Sequence, residues 1–130
     1  MFTRRSSLAA VAAVFLLAAG ATQALTIKPF TAAELASAQK AGSSVALHFH
    51  ADWCPTCRAQ DKALETLKND PALKNVTLLQ ADYDQEKALK KELNIRTQST
   101  FVVFKGKTEV ARSAGITDAD KIKSTLATGL

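Results

Sequence analysis

The stretch Ala51-Asp52-Trp53-Cys54-Pro55-Thr56-Cys57-Arg58 holds the only two cysteines of the 130-residue chain. Two thiols at this spacing close into a disulfide or share a metal ion, and no third cysteine competes for either role. The run before them, Val45 to His50, is short and mostly apolar, and reads as a strand leading directly into the motif. After it, Cys57, Leu64 and Leu67 recur at helical spacing until Asn69-Asp70-Pro71 ends the pattern. Cys54 therefore closes a strand and opens a helix.

That position has chemical consequences. Unsatisfied backbone N–H groups and the positive end of the helix dipole face the Cys54 sulfur, favouring thiolate over thiol. Pro55 falls in the first helical turn, where its missing N–H does no harm and its fixed φ preorganises the start. Cys57, one turn further in, is expected to be more buried. Cys54 is then the nucleophile toward a disulfide or thiol adduct, and Cys57 resolves the mixed disulfide. Arg58 adds a positive charge beside the pair, whereas Asp52, as a negative neighbour, would raise the Cys54 pKa.

Outward from the motif the chain alternates strand and helix patterns. Leu25 to Ile27 is a short first strand. Thr31 to Lys40 is a helix with Thr31 as N-cap and Glu34 completing a capping box. Val76 to Ala81 is the next strand and Gln85 to Leu93 a charged helix. Thr100 to Phe104 is a strand joined through Lys105-Gly106-Lys107 to Thr108 to Ala114 as a hairpin. A last helix begins near Thr117 or Asp118, with Ala119, Ile122 and Leu126 on one face. The sum is an α/β domain: a central mixed β-sheet with helices on both faces. The lysines at 87, 90 and 91 read as a solvated helix face, and Asp61 and Glu65 as surface residues.

The first two dozen residues read differently. Arg4 and Arg5 precede an apolar run from Leu8 to Ala19, and small residues up to Ala24 offer cleavage points: the pattern of a secretory signal peptide over residues 1–24, with the domain occupying 25–130. Spanning a membrane takes about 20 apolar residues, more than this run supplies. The arginine pair also fits a twin-arginine export signal. The expected location is periplasmic or secreted, with no stable membrane insertion once the signal is removed. Outside the cytosol a dithiol needs either an oxidised resting state or a dedicated electron donor. Without Arg4 and Arg5 the 17 basic residues become 15 against 12 acidic ones, a net charge of +3. That dispersed excess does not suit nucleic-acid binding.

With these elements in place the chain resembles the thioredoxin family. Trp53-Cys54-x-x-Cys57-Arg58 after an apolar strand is similar to the family's active site. The resemblance continues through Leu79-Gln80-Ala81-Asp82-Tyr83-Asp84 and Leu93-Asn94-Ile95-Arg96 to the strand and hairpin of Phe101-Val102-Val103-Phe104-Lys105-Gly106-Lys107. It implies a thioredoxin-like fold and a thiol-disulfide oxidoreductase needing no organic cofactor, with Trp53, Pro55, Gln98 and Ser99 facing the substrate. Two positions depart from the pattern. Ser99 stands where the family carries a cis proline opposite the cysteines; because a non-proline cis bond costs about 2.5–4 kcal/mol, the Gln98-Ser99 bond is expected to be trans and the loop to take another path. His48 stands where the family buries an aspartate beneath the second cysteine, and a neutral imidazole there can accept the Cys57 proton.

Two readings of the cysteine pair follow. In the first, an exported enzyme reduces protein disulfides by a Cys54-Cys57 dithiol/disulfide cycle, taking electrons from a membrane thiol donor; the short uninterrupted domain favours a reductant. In the second, His48 and His50, which project to one face of their strand, join Cys54 and Cys57 to hold zinc, copper or an iron-sulfur cluster in a metallochaperone.

Overall fold

The computed structural model describes residues 24–130, so the expected export segment lies outside the described residues except for Ala24. Five strands form one sheet: β1 (Leu25–Pro29), β2 (Ser44–His50), β3 (Val76–Asp82), β4 (Thr100–Lys105) and β5 (Thr108–Ala114), in the order β1-β3-β2-β4-β5. β1 and β2 both run parallel to β3, while β4 is antiparallel to β2 and to β5. The sheet is therefore mixed, as the sequence implied.

Alternation along the central strands sorts the side chains into two layers. Val45, Leu47 and Phe49 of β2 join Leu79, Val102 and Phe104 on one face, where Leu35 and Ala38 of α1 (Ala32–Lys40) and Leu89 of α3 (Lys87–Glu92) cover them. Ala46 of β2 joins Leu78, Phe101 and Val103 on the other, beneath Ala63, Leu64 and Leu67 of α2 (Pro55–Leu67) and Ile122 and Leu126 of α4 (Ala119–Ala127). His48 shares the parity of Ala46 and lies fully buried on the α2 side. This places a polar ring in an apolar layer.

Local signals set the helix ends. Thr31 Oγ1 accepts from Glu34 N at 3.1 Å at the start of α1, and Asp118 caps α4 through Lys121 N at 2.9 Å. The expected stop after α2 is a short 3-10 turn, Pro71–Leu73, tied to α4 by a 2.7 Å ion pair between Asp70 and Lys123. α3 is shorter than its charge pattern suggested. The Asp82 carboxylate accepts from Asp84 N and Gln85 N, and that turn uses residues that would otherwise open the helix. At the β4–β5 hairpin, Gly106 adopts φ +58°, a left-handed conformation that glycine tolerates without penalty. Among the described residues no helix is long and apolar enough to cross a membrane.

Candidate active site

Cys54 is the N-cap of α2, with extended backbone angles (φ −85°, ψ 118°), and its sulfur accepts from Cys57 N at 3.3 Å. Pro55 follows in the first turn, as its missing N–H permits. Both cysteines are free thiols and both are buried, Cys57 completely. Ser99, in the loop between α3 and β4, completes the cluster: its Oγ lies 3.2 Å from Cys54 Sγ and 3.0 Å from Cys57 Sγ.

The two thiols diverge in acidity. Burial pushes the Cys54 thiol up, but the Ser99 hydroxyl, the Cys57 N–H and thiol, and the Gln98 side chain together outweigh it and bring the pKa down to about 7. Burial also pushes the Cys57 thiol up, and there it prevails, reinforced by the neighbouring Cys54 sulfur. Cys54 ionises first. Arg58 contributes little to this, since its guanidinium turns to the Asp52 carbonyl at 3.1 Å.

Every peptide bond of the described residues is trans, the Gln98-Ser99 bond included, and the loop does take another path. Ser99 has φ +61°, a left-handed conformation that is uncommon for a residue with a Cβ. Its backbone is clamped on both sides. Its N–H donates to Phe49 O at 2.8 Å, and its carbonyl accepts from Gly115 N at 3.0 Å and from Gln60 Nε2 at 3.0 Å. A proline fits neither that φ nor the hydrogen bond to Phe49.

Gln60 is the residue that sequence reasoning missed. It is fully buried on α2, donates a second bond from Nε2 to Ile116 O at 2.9 Å, and meets His48 Nε2 with its Oε1 at 2.8 Å. Because two carbonyls fix which end of the amide carries the N–H groups, Oε1 must face the imidazole. His48 Nε2 therefore bears the proton, and Nδ1 holds a buried lone pair without a partner. Burial holds the His48 pKa down to about 4, the Gln60 hydrogen bond opposing it only in part. The ring is neutral at ordinary pH and stacks on Phe101 at 4.4 Å between centroids. Its hydrogen bond goes to Gln60, and none reaches either sulfur.

The metal-ligand alternative finds no assembled site. His48 and His50 are neighbours, with ring centroids 5.4 Å apart, but His50 Nε2 is engaged by Asp61 Oδ2 at 2.8 Å. Among the described residues no group of three or more histidine, cysteine, aspartate or glutamate side chains is arranged to hold a metal ion. Asp61 lies at the surface as expected, and there it is also the partner of His50 and accepts from Gln80 Nε2 at 3.4 Å. Outside this buried cluster, Trp53 is 56% exposed beside Cys54, its indole N–H donating to Asp84 Oδ2 at 2.7 Å. Gln98, next to Ser99, is half-buried, and its side chain is among the groups that favour the Cys54 thiolate.

Known proteins resemble the chain in sequence and fold. The family model described as Thioredoxin matches residues 26–128. The thioredoxin of Chlamydia trachomatis is 32% identical over 82 residues, spanning 63% of this chain and 78% of that protein. Among solved structures, Trxlp from Edwardsiella tarda superimposes with a TM-score of 0.74 at 30% identity, covering 78% of this chain and 98% of that one. Fasciola hepatica thioredoxin gives a TM-score of 0.66 at 25% identity, covering 81% and 99%.

Proposed function

The chain belongs to the thioredoxin family and is a thiol-disulfide oxidoreductase, and from that premise we propose that it works outside the cytoplasm as a reductant of protein disulfides. Cys54 is the attacking thiolate and Cys57 the resolving thiol. One observation carries this reading: the helix-capping sulfur with a pKa brought down to about 7 beside a partner thiol pushed up. At neutral pH the first is substantially ionised and the second holds its proton, the division of labour that a two-step exchange needs.

The same pair supports a direction. A dithiol that is a poor electron donor owes this to a strongly stabilised thiolate with a pKa far below neutrality. A Cys54 pKa near 7 is only modestly depressed, which favours donation of electrons. The uninterrupted chain from α2 through the 3-10 turn into β3, with no inserted domain, agrees with a reductant. Trp53, exposed beside Cys54, and the half-buried Gln98, next to Ser99, would contact the substrate disulfide. Export is supported by the residue pattern over 1–24, and a reductant working there draws its electrons from a membrane thiol donor.

The test has two parts. Purified protein titrated against a glutathione or dithiothreitol redox buffer should show a reversible two-electron disulfide and reduce a protein disulfide, with Cys54→Ser inactive. Stoichiometric metal that survives chelation and disappears in Cys54→Ser would overturn the redox reading. For location, the expressed full chain should be recovered from a periplasmic extract or the medium with its N-terminus near Leu25. Recovery in the cytosol at full length would refute export.

A further inference from the structure

The reduced pair and Ser99 form one hydrogen-bonded chain. Ser99 Oγ lies 3.2 Å from Cys54 Sγ and 3.0 Å from Cys57 Sγ, and all three residues are buried. A hydroxyl carries one hydrogen and cannot donate to both sulfurs. Cys54 is the first to ionise, so Oγ–H donates to Cys54 and the Cys57 S–H donates to Oγ. The Cys57 backbone N–H is a second donor to the Cys54 sulfur, at 3.3 Å.

We propose that the Ser99 hydroxyl sets the redox poise of the pair, holding the reduced form through a hydrogen bond to the Cys54 thiolate that the Cys54-Cys57 disulfide cannot keep. The proposal deepens the dithiol reading above and rests on it. Against the glutathione couple, oxidation consumes the Cys54 thiolate, the Cys57 S–H, one glutathione disulfide and one proton from solvent. It yields the protein disulfide and two glutathione thiols: the protein loses two electrons and glutathione gains them. Around Oγ the exchange removes the negative charge on one side and the S–H donor on the other. A hydrogen bond to an ionised acceptor is about twice as strong as a neutral one, and uncharged sulfur is a weak acceptor. The disulfide therefore leaves a buried hydroxyl facing two poor partners, and the equilibrium moves toward the dithiol. The chain is a milder reductant than the same fold with no donor at this position.

The surroundings offer the hydroxyl no replacement. Among the described residues Oγ bonds only to the two sulfurs. Phe49 O, Gly115 N and Gln60 Nε2 clamp the Ser99 backbone at its left-handed φ of +61°, which holds the side chain against the pair. The titratable groups nearby are committed elsewhere. Arg58 turns to Asp52 O, His48 to Gln60 and His50 to Asp61, while Tyr83, packed against the pair from the turn after β3, gives its hydroxyl to Arg96 O. The Gln98 side chain adds a smaller influence of the same sign as Ser99.

The experiment compares wild type with Ser99→Ala and with Ser99→Gly, the second of which accepts the left-handed backbone without strain. Each protein is equilibrated with glutathione redox buffers at pH about 9 and at pH about 5, and the disulfide fraction is read by mass spectrometry after alkylation. At pH about 9, where the wild-type Cys54 is ionised, both variants should favour the disulfide about ten- to fiftyfold more than wild type, a potential about 30–50 mV more negative. At pH about 5, where Cys54 keeps its proton in every protein, the gap should shrink to about threefold or less. The Cys54 thiolate titration, read by ultraviolet absorbance, should rise by about one to two pH units in both variants. Titrating groups common to all the proteins cancel in these differences. A gap of equal size at both pH values would assign Ser99 a merely structural role and overturn the proposal, as would no gap or one of opposite sign. A wild type that forms no reversible disulfide would remove the dithiol reading itself and the poise with it.

Discussion

Replacing Gln60 with leucine tests whether the buried amide holds His48 and the Ser99 loop together. The side chain is fully buried and makes three hydrogen bonds, to Ser99 O at 3.0 Å, to Ile116 O at 2.9 Å and from His48 Nε2 at 2.8 Å. Their losses are unequal. Ser99 O keeps Gly115 N as a donor, and Ile116 is only half-buried, so water can reach its carbonyl. The His48 N–H has neither recourse, and a buried orphan of this kind costs about 1–3 kcal/mol. Leucine returns about 1 kcal/mol by burying apolar surface in place of the amide. The net expectation is a loss of about 1–2 kcal/mol. His48→Leu should cost a similar or smaller amount, because it orphans the Gln60 oxygen but removes the Nδ1 lone pair that already lacks a partner. In the double variant both orphans vanish together. Its loss should fall short of the sum of the single losses by about 1–3 kcal/mol. Urea denaturation of the four proteins measures this, provided the slope stays constant so that midpoints report stability. Additivity to within about 0.5 kcal/mol would refute the hydrogen-bond reasoning.

Acid should weaken the fold through His48. Its pKa is about 4 in the native state against 6.5 for the free side chain, so between these values the unfolded chain binds more protons. Stability from this group is complete above pH 6.5 and falls by about 3 kcal/mol as the pH drops to about 4, a loss absent from His48→Leu. Denaturation midpoints across that range check it, and equal slopes for the two proteins would contradict it. Alkylation by iodoacetamide, mapped by mass spectrometry, should be half-maximal at Cys54 at pH about 7, with Cys57, whose thiol burial pushes up, labelled only at higher pH. Equal labelling of the two at neutral pH would refute their inequality. Ser99→Pro should destabilise by about 3 kcal/mol or more, because the ring forbids the observed left-handed φ and removes the donor to Phe49 O. Unchanged thermal stability would show that the loop is not held as described.

The fold was legible because its signals are local. The Thr31 N-cap, the turn at Gly106 and the strand before Cys54 are each read within a few residues and lie where expected, although the Glu34 carboxylate meets Lys28 and does not complete the expected capping box. The cysteine pair was legible for the same reason, since Cys54 and Cys57 belong to a single helical turn. What surrounds the pair is tertiary. Ser99 reaches the sulfurs from more than forty positions away, and His48 meets Gln60 across the gap between sheet and helix. One signal for Gln60 was present. The buried stripe of α2 runs through Cys57, Gln60, Leu64 and Leu67 at helical spacing, and an amide on such a stripe must find partners inside the protein. Asp61 gave no such signal: its side chain is 42% exposed, and only the fold shows that its inner oxygen meets His50.

His48, Gln60 and Ser99 depend on one another in a fixed order. Without a cis proline the loop needs another way to hold its backbone opposite the cysteines, and the Ser99 carbonyl is held by a donor that α2 supplies from Gln60. That amide, committed to the Ser99 and Ile116 carbonyls through its nitrogen, presents an oxygen to the sheet. Position 48 must then donate. An ionised aspartate, the family's usual residue there, would set acceptor against acceptor. Flipping the amide would only move the clash to Ser99 and Ile116. A neutral histidine protonated at Nε2 supplies the required N–H, at the expense of a lone pair left bare on Nδ1. The histidine is thus explained as the last member of a chain of hydrogen bonds that begins at the cysteine sulfurs. In this protein the connection from β2 to the redox pair runs through the Ser99 backbone and hydroxyl, where a buried carboxylate would otherwise address Cys57 directly.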